Sequence, residues 1–186
     1  MLPTGRPQWR CSCAQMELMA LDVIRLLLFP ALMAFAASSD LLTMTISNRL
    51  SLGLVAGFLA LALIAGMSGS QIAMHFAAGM VVLAFAFICF ARGWIGGGDA
   101  KLAAATALWL GFDLLMPYLL YASLLGGVLT ILIIRFRTMP LPEWLSRHPW
   151  IARLHQVDAG VPYGIALAAA ALLVYPASPL MQAAGS

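Results

Sequence analysis

Long apolar runs, separated by short segments rich in glycine or polar residues, make up most of this chain. A bilayer core about 30 Å thick is crossed by about 20 apolar residues in a helix, and the runs predict six such helices. Their approximate ranges are Leu18–Ala37, Leu50–Met67, Gln71–Ala91, Ala100–Gly111, Leu114–Ile134 and Val161–Tyr175. The pattern therefore predicts an all-α, polytopic membrane protein with about six transmembrane helices.

The fourth predicted helix is too short to cross a bilayer by itself. It follows three consecutive glycines, Gly96, Gly97 and Gly98, and we expect these to be non-helical, so that the helix begins part-way into the bilayer. Irregular backbone at that depth is tolerated only against protein or a water-filled cavity. This segment is therefore the most unusual part of the predicted bundle.

The composition agrees with a membrane protein. Hydrophobic residues make up 63% of the chain and charged residues only 9%, whereas about a quarter of the residues in a soluble domain are charged. A soluble enzyme, a nucleic-acid-binding protein and a disulfide-stabilised secreted domain are thereby excluded. The three cysteines do not have the spacing of a zinc site or of a disulfide framework, and we expect no metal.

The basic residues predict the orientation of the chain, because cytoplasmic loops carry an excess of Lys and Arg. The loops after the first, third and fifth predicted helices contain Arg49, Arg92, Lys101, Arg135, Arg137, Arg147 and Arg153. The turns at 68–70 and 112–113 and the C-terminal tail contain no Lys or Arg. We therefore expect these three loops in the cytoplasm, with Ser70, Ser186 and both termini on the outer side.

The first 17 residues do not fit this orientation. Residues 1–17 form a polar N-terminal tail that contains Arg6 and Arg10, whereas residues 18–186 form a single predicted transmembrane domain. One resolution is a translation start at Met16 or Met19, in which case most of the tail is not translated.

Three aspartates, Asp40, Asp99 and Asp158, lie on the predicted cytoplasmic side, and an ionisable residue close to a membrane span is a candidate functional residue. Asp99 follows the glycines and begins a helix, where the helix dipole favours its charge; a plain N-cap is the alternative. For Asp40 the alternative is an ordinary helix-end residue. Two close carboxylates that share a proton can activate water and polarise a peptide carbonyl, so a pair among these residues suggests an aspartyl protease.

Three segments resemble the signatures of the type IV prepilin peptidases. Asp40 is followed eight residues later by Asn48, and the run Gly96-Gly97-Gly98-Asp99-Ala100-Lys101 is similar to the family's G-x-G-D-x-K motif. Val161-Pro162-Tyr163-Gly164 resembles the Pro-Tyr-Gly segment that opens the family's last helix. The three segments occur in the family's order and extend over residues 39–164.

The resemblance implies an aspartyl endopeptidase that removes the basic leader of prepilins at the cytoplasmic face of the bacterial inner membrane. It implies that Asp40 and Asp99 are the catalytic pair, whereas Asp158 matches no catalytic position. The supporting residues that it implies are Asn48, Lys101, Gly96 and Gly98. The implied partners are a prepilin, with a basic leader followed by an apolar helix, and the lipid bilayer. No cofactor and no nucleic acid are expected, and the sequence does not predict an oligomeric state.

Larger members of that family carry paired C-x-x-C motifs in an extra N-terminal portion and N-methylate the trimmed pilin. This chain contains no C-x-x-C motif, since Cys11-Ser12-Cys13 has a different spacing. It therefore resembles the short forms that serve tight-adherence (Flp) pili, with residues 18–186 as a single transmembrane peptidase domain, and we do not expect it to methylate its product.

Parts of the sequence also match features of other functions. Gly66-Met67-Ser68-Gly69 matches the G-x-S-G motif of rhomboid-like serine proteases, but a turn between two helices explains it as well, and no H-E-x-x-H metalloprotease motif is present. A small proton- or ion-coupled transporter component would also use intramembrane aspartates. An inactive family member that acts as a scaffold is the remaining alternative.

Overall fold

The computed structural model describes residues 8–182 of the chain, and all the regular structure in that range is helical. The elements are α1 (Gln8–Thr43), α2 (Asn48–Ile64), α3 (Gly69–Ala91), α4 (Gly97–Thr138), α5 (Glu143–Ser146), α6 (Pro149–His155), α7 (Tyr163–Val174), a 3-10 helix (Tyr175–Ala177) and α8 (Pro179–Gln182). The all-α prediction is confirmed for this part of the chain. The predictions that involve Arg6, Ser186 and the side chains of Arg10, Cys11 and Cys13 concern parts of the chain outside this description.

Between residues 8 and 182, three helical segments are long and apolar enough to cross a membrane. They are Leu26–Thr43 within α1, Gly69–Ala91 and Gly97–Thr138. The helices Asn48–Ile64 and Tyr163–Ala177 are apolar but shorter. The prediction of six transmembrane helices is therefore not confirmed: two of the apolar segments are short, and the fourth and fifth predicted helices both fall within the single range of α4.

A sharp break at Gly111 divides α4 at the junction of the two predicted helices. Gly111 has φ 68° and ψ −175°, a combination that is essentially restricted to glycine. Tyr118, after the break, lies beside Thr106, before it, although a straight helix would separate these residues by about 18 Å along its axis. The chain therefore reverses at Gly111, and α4 is a helical hairpin rather than one long span.

An aromatic cluster around Trp109 fixes the first arm of this hairpin. The indole Nε1 of Trp109 donates a hydrogen bond of 2.9 Å to the carbonyl oxygen of Leu54 in α2. Its ring lies 4.9 Å from that of Phe29 in α1 and 6.0 Å from that of Phe58 in α2. A Cβ atom at Gly57 would lie 3.3 Å from the Trp109 ring, so the small residue allows the close approach of α2 to α4.

His75 of α3 supports the break itself. Its Nδ1 atom lies 2.8 Å from the carbonyl oxygen of Leu108, one of the carbonyls that lose their intrahelical partner where a helix ends. The imidazole ring stacks on Phe58 at 5.1 Å and also covers Gly111, where a Cβ atom would lie 3.0 Å from the ring. The reversal thus requires glycine for its backbone angles and for the space that the ring occupies.

Gly111→Ala should therefore lower the free energy of unfolding by about 1–3 kcal/mol, the usual cost of backbone strain in a region that excludes side chains. The matched control is Gly127→Ala in the same element, where a Cβ atom meets nothing within 4 Å, so stability should be unchanged or slightly raised. Denaturant titration of the purified proteins in detergent measures both. Equal stability of the two variants would contradict the hairpin geometry.

Candidate active site

Asp40 lies in the last turn of α1 and is only 5% exposed. Its Oδ2 atom accepts a hydrogen bond of 2.7 Å from the backbone N–H of Gly164, in the first turn of α7. The N–H groups of a first turn have no partner within their own helix, and the helix dipole favours negative charge there. The carboxylate therefore joins α1 to α7 and satisfies an N–H group of α7 in doing so.

Gly164 makes this contact possible because it has no side chain. A Cβ atom at this position would lie 2.7 Å from Oδ2 of Asp40 and 2.9 Å from Cδ1 of Ile46. The neighbouring Tyr163 packs its ring directly against the backbone of Gly126 in α4. The resemblance to the Pro-Tyr-Gly segment identified residues 161–164 from the sequence. It did not predict that Gly164 contacts Asp40.

The chain leaves α1 through a tight turn at Met44, whose φ of 54° is unusual for a residue with a side chain. The N–H of Met44 donates to the backbone carbonyl of Asp40 at 2.8 Å, and the Ser39 hydroxyl donates to the carbonyl of Thr45 at 3.0 Å. Strained backbone of this kind persists only where the surroundings fix it. The turn directs Ile46 back towards the site.

Asp99 is the third residue of α4, and Gly96 is the N-cap of that helix. The Asp99 carboxylate interacts with the backbone N–H of Gly96, as an acidic or amide side chain at the third position of a helix does in a capping box. Asp99 is therefore not itself the N-cap. The expectation of a non-helical glycine run was wrong for Gly97 and Gly98, which belong to the first turn of α4 because only the cap residue needs an extended backbone.

Gly96 and Gly98 each leave room for a specific neighbour. A Cβ atom at Gly96 would lie 2.9 Å from Oδ2 of Asp99, and one at Gly98 would lie 3.2 Å from Cβ of Ile46. Ile46 thus contacts both Gly98 at the start of α4 and Gly164 at the start of α7. Ile46 is a residue of the candidate site that the sequence analysis missed, since an isoleucine in an apolar chain gives no chemical signal.

These contacts bring Asp40 and Asp99 together at one end of the bundle. The two carboxylates are close enough for their charges to influence each other, and Asp40 is buried while Asp99 is partly buried. Because two close carboxylates repel each other when both are charged, such a pair favours a state with one shared proton. The arrangement can supply one general base and one general acid to the same substrate atom.

Asn48 and Lys101 also meet in the structure. Nζ of Lys101 donates a hydrogen bond of 2.8 Å to Oδ1 of Asn48, which joins the start of α2 to the first turns of α4. Both side chains are exposed. An apolar cavity of about 440 Å³ begins at this pair and continues between α2, α3 and α4.

Two other predicted candidates have ordinary structural surroundings. Asp158 is exposed in the loop between α6 and α7, the loop position expected for it. Ser68 of the G-x-S-G match is the N-cap of α3, where its side chain and that of Gln71 form a capping box. His75, the nearest histidine in sequence, bonds to Leu108, so this serine has the structural role of a helix cap.

A model of the type IV leader peptidase family matches residues 27–131, which is more than half of the 186 residues. The matched range contains Asp40, Asn48, Asp99 and Lys101, and it ends before Gly164. No curated protein and no solved structure matches the chain.

Gly164→Ala should displace the Asp40 carboxylate or the start of α7, because the new methyl group has no space. The expected loss of stability is about 1–3 kcal/mol, as for other overpacked sites. Gly160→Ala is the matched control in the preceding loop, since a Cβ atom there meets nothing within 4 Å. Chemical unfolding of both variants in detergent measures this loss, and a Gly164→Ala protein as stable as the parent would contradict the close contact between Gly164 and Asp40.

Proposed function

The chain belongs to the type IV leader peptidase family, and from that premise we propose that it is an aspartyl endopeptidase that removes the leader peptide of prepilins. The family implies a protease with a prepilin substrate; the proposal adds the mechanism and its residues, Asp40 and Asp99. One observation carries it. Two aspartates from helices far apart in the sequence, both within the matched range, interact at one end of the bundle.

In the proposed mechanism the pair holds one proton. The charged carboxylate takes a proton from water, whose oxygen attacks the carbonyl carbon of the scissile peptide, while the protonated carboxyl gives its proton to the carbonyl oxygen. The resulting diol returns a proton to the pair as the pair protonates the nitrogen, and the C–N bond breaks. The products are a leader with a new carboxyl end and a pilin with a new amino end, and the pair again holds one proton. Because the pair titrates as a unit, the two roles are not assigned to individual residues.

Backbone donors support this mechanism by orienting each carboxylate. Asp40 accepts from the N–H of Gly164 at 2.7 Å, and Asp99 interacts with the N–H of Gly96. We assign Asn48 and Lys101 a positioning role, because their hydrogen bond fixes the start of α4 two residues after Asp99. Gly96 and Gly98 leave the space that the carboxylate and Ile46 occupy.

The proposed location is the bacterial inner membrane, with the site facing the cytoplasm. The support for a cytoplasmic site is that basic residues contact the end of the bundle where the two aspartates lie. Lys101 bonds to Asn48, and Arg153 donates to the carbonyl oxygen of Leu42, two residues after Asp40. An excess of Lys and Arg is typical of cytoplasmic loops.

The proposed substrate is a prepilin of the Flp type. The support is the similarity of the motifs to those of the short family members and the lack of a C-x-x-C motif in the sequence. The family match does not favour the transporter component that the sequence alone left open.

Asp40→Asn and Asp99→Asn keep the size of each side chain but remove its ability to act as a base. Each single variant should lower the rate of prepilin cleavage by purified protein by at least about 100-fold, the lower range for losing general acid–base catalysis. Asp158→Asn is the control and should retain most of the activity, since its carboxylate is exposed in a loop.

The amount of folded protein must be measured beside the rate, because loss of the helix-start interaction at Asp99 could cost about 1 kcal/mol. Normal cleavage by an abundant Asp99→Asn protein would contradict the aspartyl mechanism.

The proposed orientation predicts the accessibility of single cysteines introduced into a protein without its native ones. From outside intact cells, an impermeant thiol reagent should label a cysteine at Ser70 but not one at Arg147. The opposite labelling pattern would invert the orientation and place the site on the outer face.

A further inference from the structure

The loop before α7 determines where the N–H of Gly164 lies. Residues 156–162 connect the end of α6 at His155 to the start of α7 at Tyr163 and are not helical. Gly164 follows immediately and donates to the buried carboxylate of Asp40. The geometry of Asp40 therefore depends on a segment that lacks the internal hydrogen bonds of a helix.

One arginine, Arg137 in the last turn of α4, donates to four backbone carbonyls, of which one lies at the end of α6 and three lie in this segment. Nε of Arg137 donates to Leu154 at 2.9 Å and Nη1 to Val157 at 3.4 Å. Nη2 donates to Ala159 at 2.6 Å and to Gly160 at 2.9 Å. A guanidinium group has five N–H donors in one rigid plane, so it can hold four carbonyls at once, whereas a lysine ammonium cannot match that geometry.

Two further contacts fix the neighbouring helix α6 to the same end of the bundle. Nη1 of Arg153 donates to the carbonyl oxygen of Leu42 at 3.0 Å, and Nε2 of His155 lies 2.8 Å from the carbonyl oxygen of Met139. Helix α6 is thus attached to the end of α1 through Arg153 and to the residue that follows α4 through His155. Of these attachments, only the one through Arg137 reaches Val157, Ala159 and Gly160.

We infer that Arg137 is a positioning residue for Asp40, acting through the loop 156–162 and the N–H of Gly164. The acceptors are neutral carbonyls, so the contribution of Arg137 is geometric: it fixes the path of the chain into α7. Without the guanidinium, water can solvate the freed carbonyls, but the loop gains conformational freedom and the bond to Asp40 is formed for less of the time. The consequence for cleavage rests on the function proposed above, whereas the ordering of the loop does not.

The test compares Arg137→Ala, Arg137→Lys and the control Arg135→Ala in the full chain. Arg135 is two residues away on the same helix and is exposed. A spin label on a cysteine at Val157, which is 80% exposed, reports loop mobility in a background without native cysteines. Prepilin cleavage by the variants without the label gives kcat and KM separately.

Arg137→Ala should increase the mobility at Val157 and lower kcat by about 10- to 100-fold, as a small misplacement of a catalytic group does, with KM unchanged. Arg137→Lys should resemble Arg137→Ala more than the parent protein, because it restores the charge without the planar donors. Arg135→Ala should match the parent in mobility and in both kinetic constants.

Unchanged mobility in Arg137→Ala, or a kcat equal to that of Arg135→Ala, would overturn the inference. A raised KM with normal kcat would also overturn it, since that result would mean that Arg137 binds the substrate. If the parent protein cleaves no prepilin, the proposed function fails, and the mobility comparison still decides whether Arg137 orders the loop.

Discussion

The hydrogen bond from the Gly164 N–H to the Asp40 carboxylate is the contact on which the rest of the site depends. It joins residues 124 positions apart in the sequence and satisfies a charged group that would be costly to bury without partners. Three features follow from it. Position 164 has no space for a side chain, Ile46 packs against the same glycine, and the loop before α7 has to be held in place. Gly164 and Arg137 therefore both position the Asp40 carboxylate, Gly164 by direct contact and Arg137 through the loop before α7.

The first arm of α4 provides the rigid body that carries Asp99. Every residue from Leu102 to Gly111 is buried, and a helix that is apolar on all sides is typical of a protein core. This arm does not need the length of a membrane span, because protein rather than lipid surrounds it. The first arm ends at the break at Gly111, and the aromatic cluster around Trp109 packs it against α1 and α2. Asp99, at the start of this arm, therefore has a fixed position.

The sequence predicts the helical class and the approximate ranges of α2, α3, α7 and the two arms of α4, because these depend on local apolar runs and on the polar residues between them. The short helices α5, α6 and α8 were not predicted, and α1 begins and ends outside its predicted range Leu18–Ala37. It also indicates Asp40 and Asp99, because few acids occur in so apolar a chain and two of them stand in motif-like runs. At Gly111 the sequence predicted only a turn between two helices. The identity of a glycine does not show whether its φ is positive, so the backbone angles of the reversal could not be predicted. The positions of Gly97 and Gly98 in the helix were missed because consecutive glycines are more typical of irregular backbone.

The contacts that join distant segments could not be predicted, for a physical reason that Arg137 illustrates. From the sequence this residue is one of several loop-proximal arginines that indicate membrane orientation, and nothing local distinguishes it from Arg135. Its four hydrogen bonds exist only because the hairpin and α6 bring residues 154–160 to the end of α4. The same holds for Gly164, whose contact with Asp40 requires α1 and α7 to pack side by side.

The dependence of kcat/KM on pH tests most directly whether Asp40 and Asp99 hold one proton between them. The measurement uses purified protein and a prepilin substrate, with unfolding monitored at each pH. A shared proton predicts a bell-shaped profile, because the rate falls when both carboxyls are protonated and again when both are charged. A rate that rises to a plateau and never declines while the protein stays folded would contradict the pair and would point to a single carboxylate acting alone.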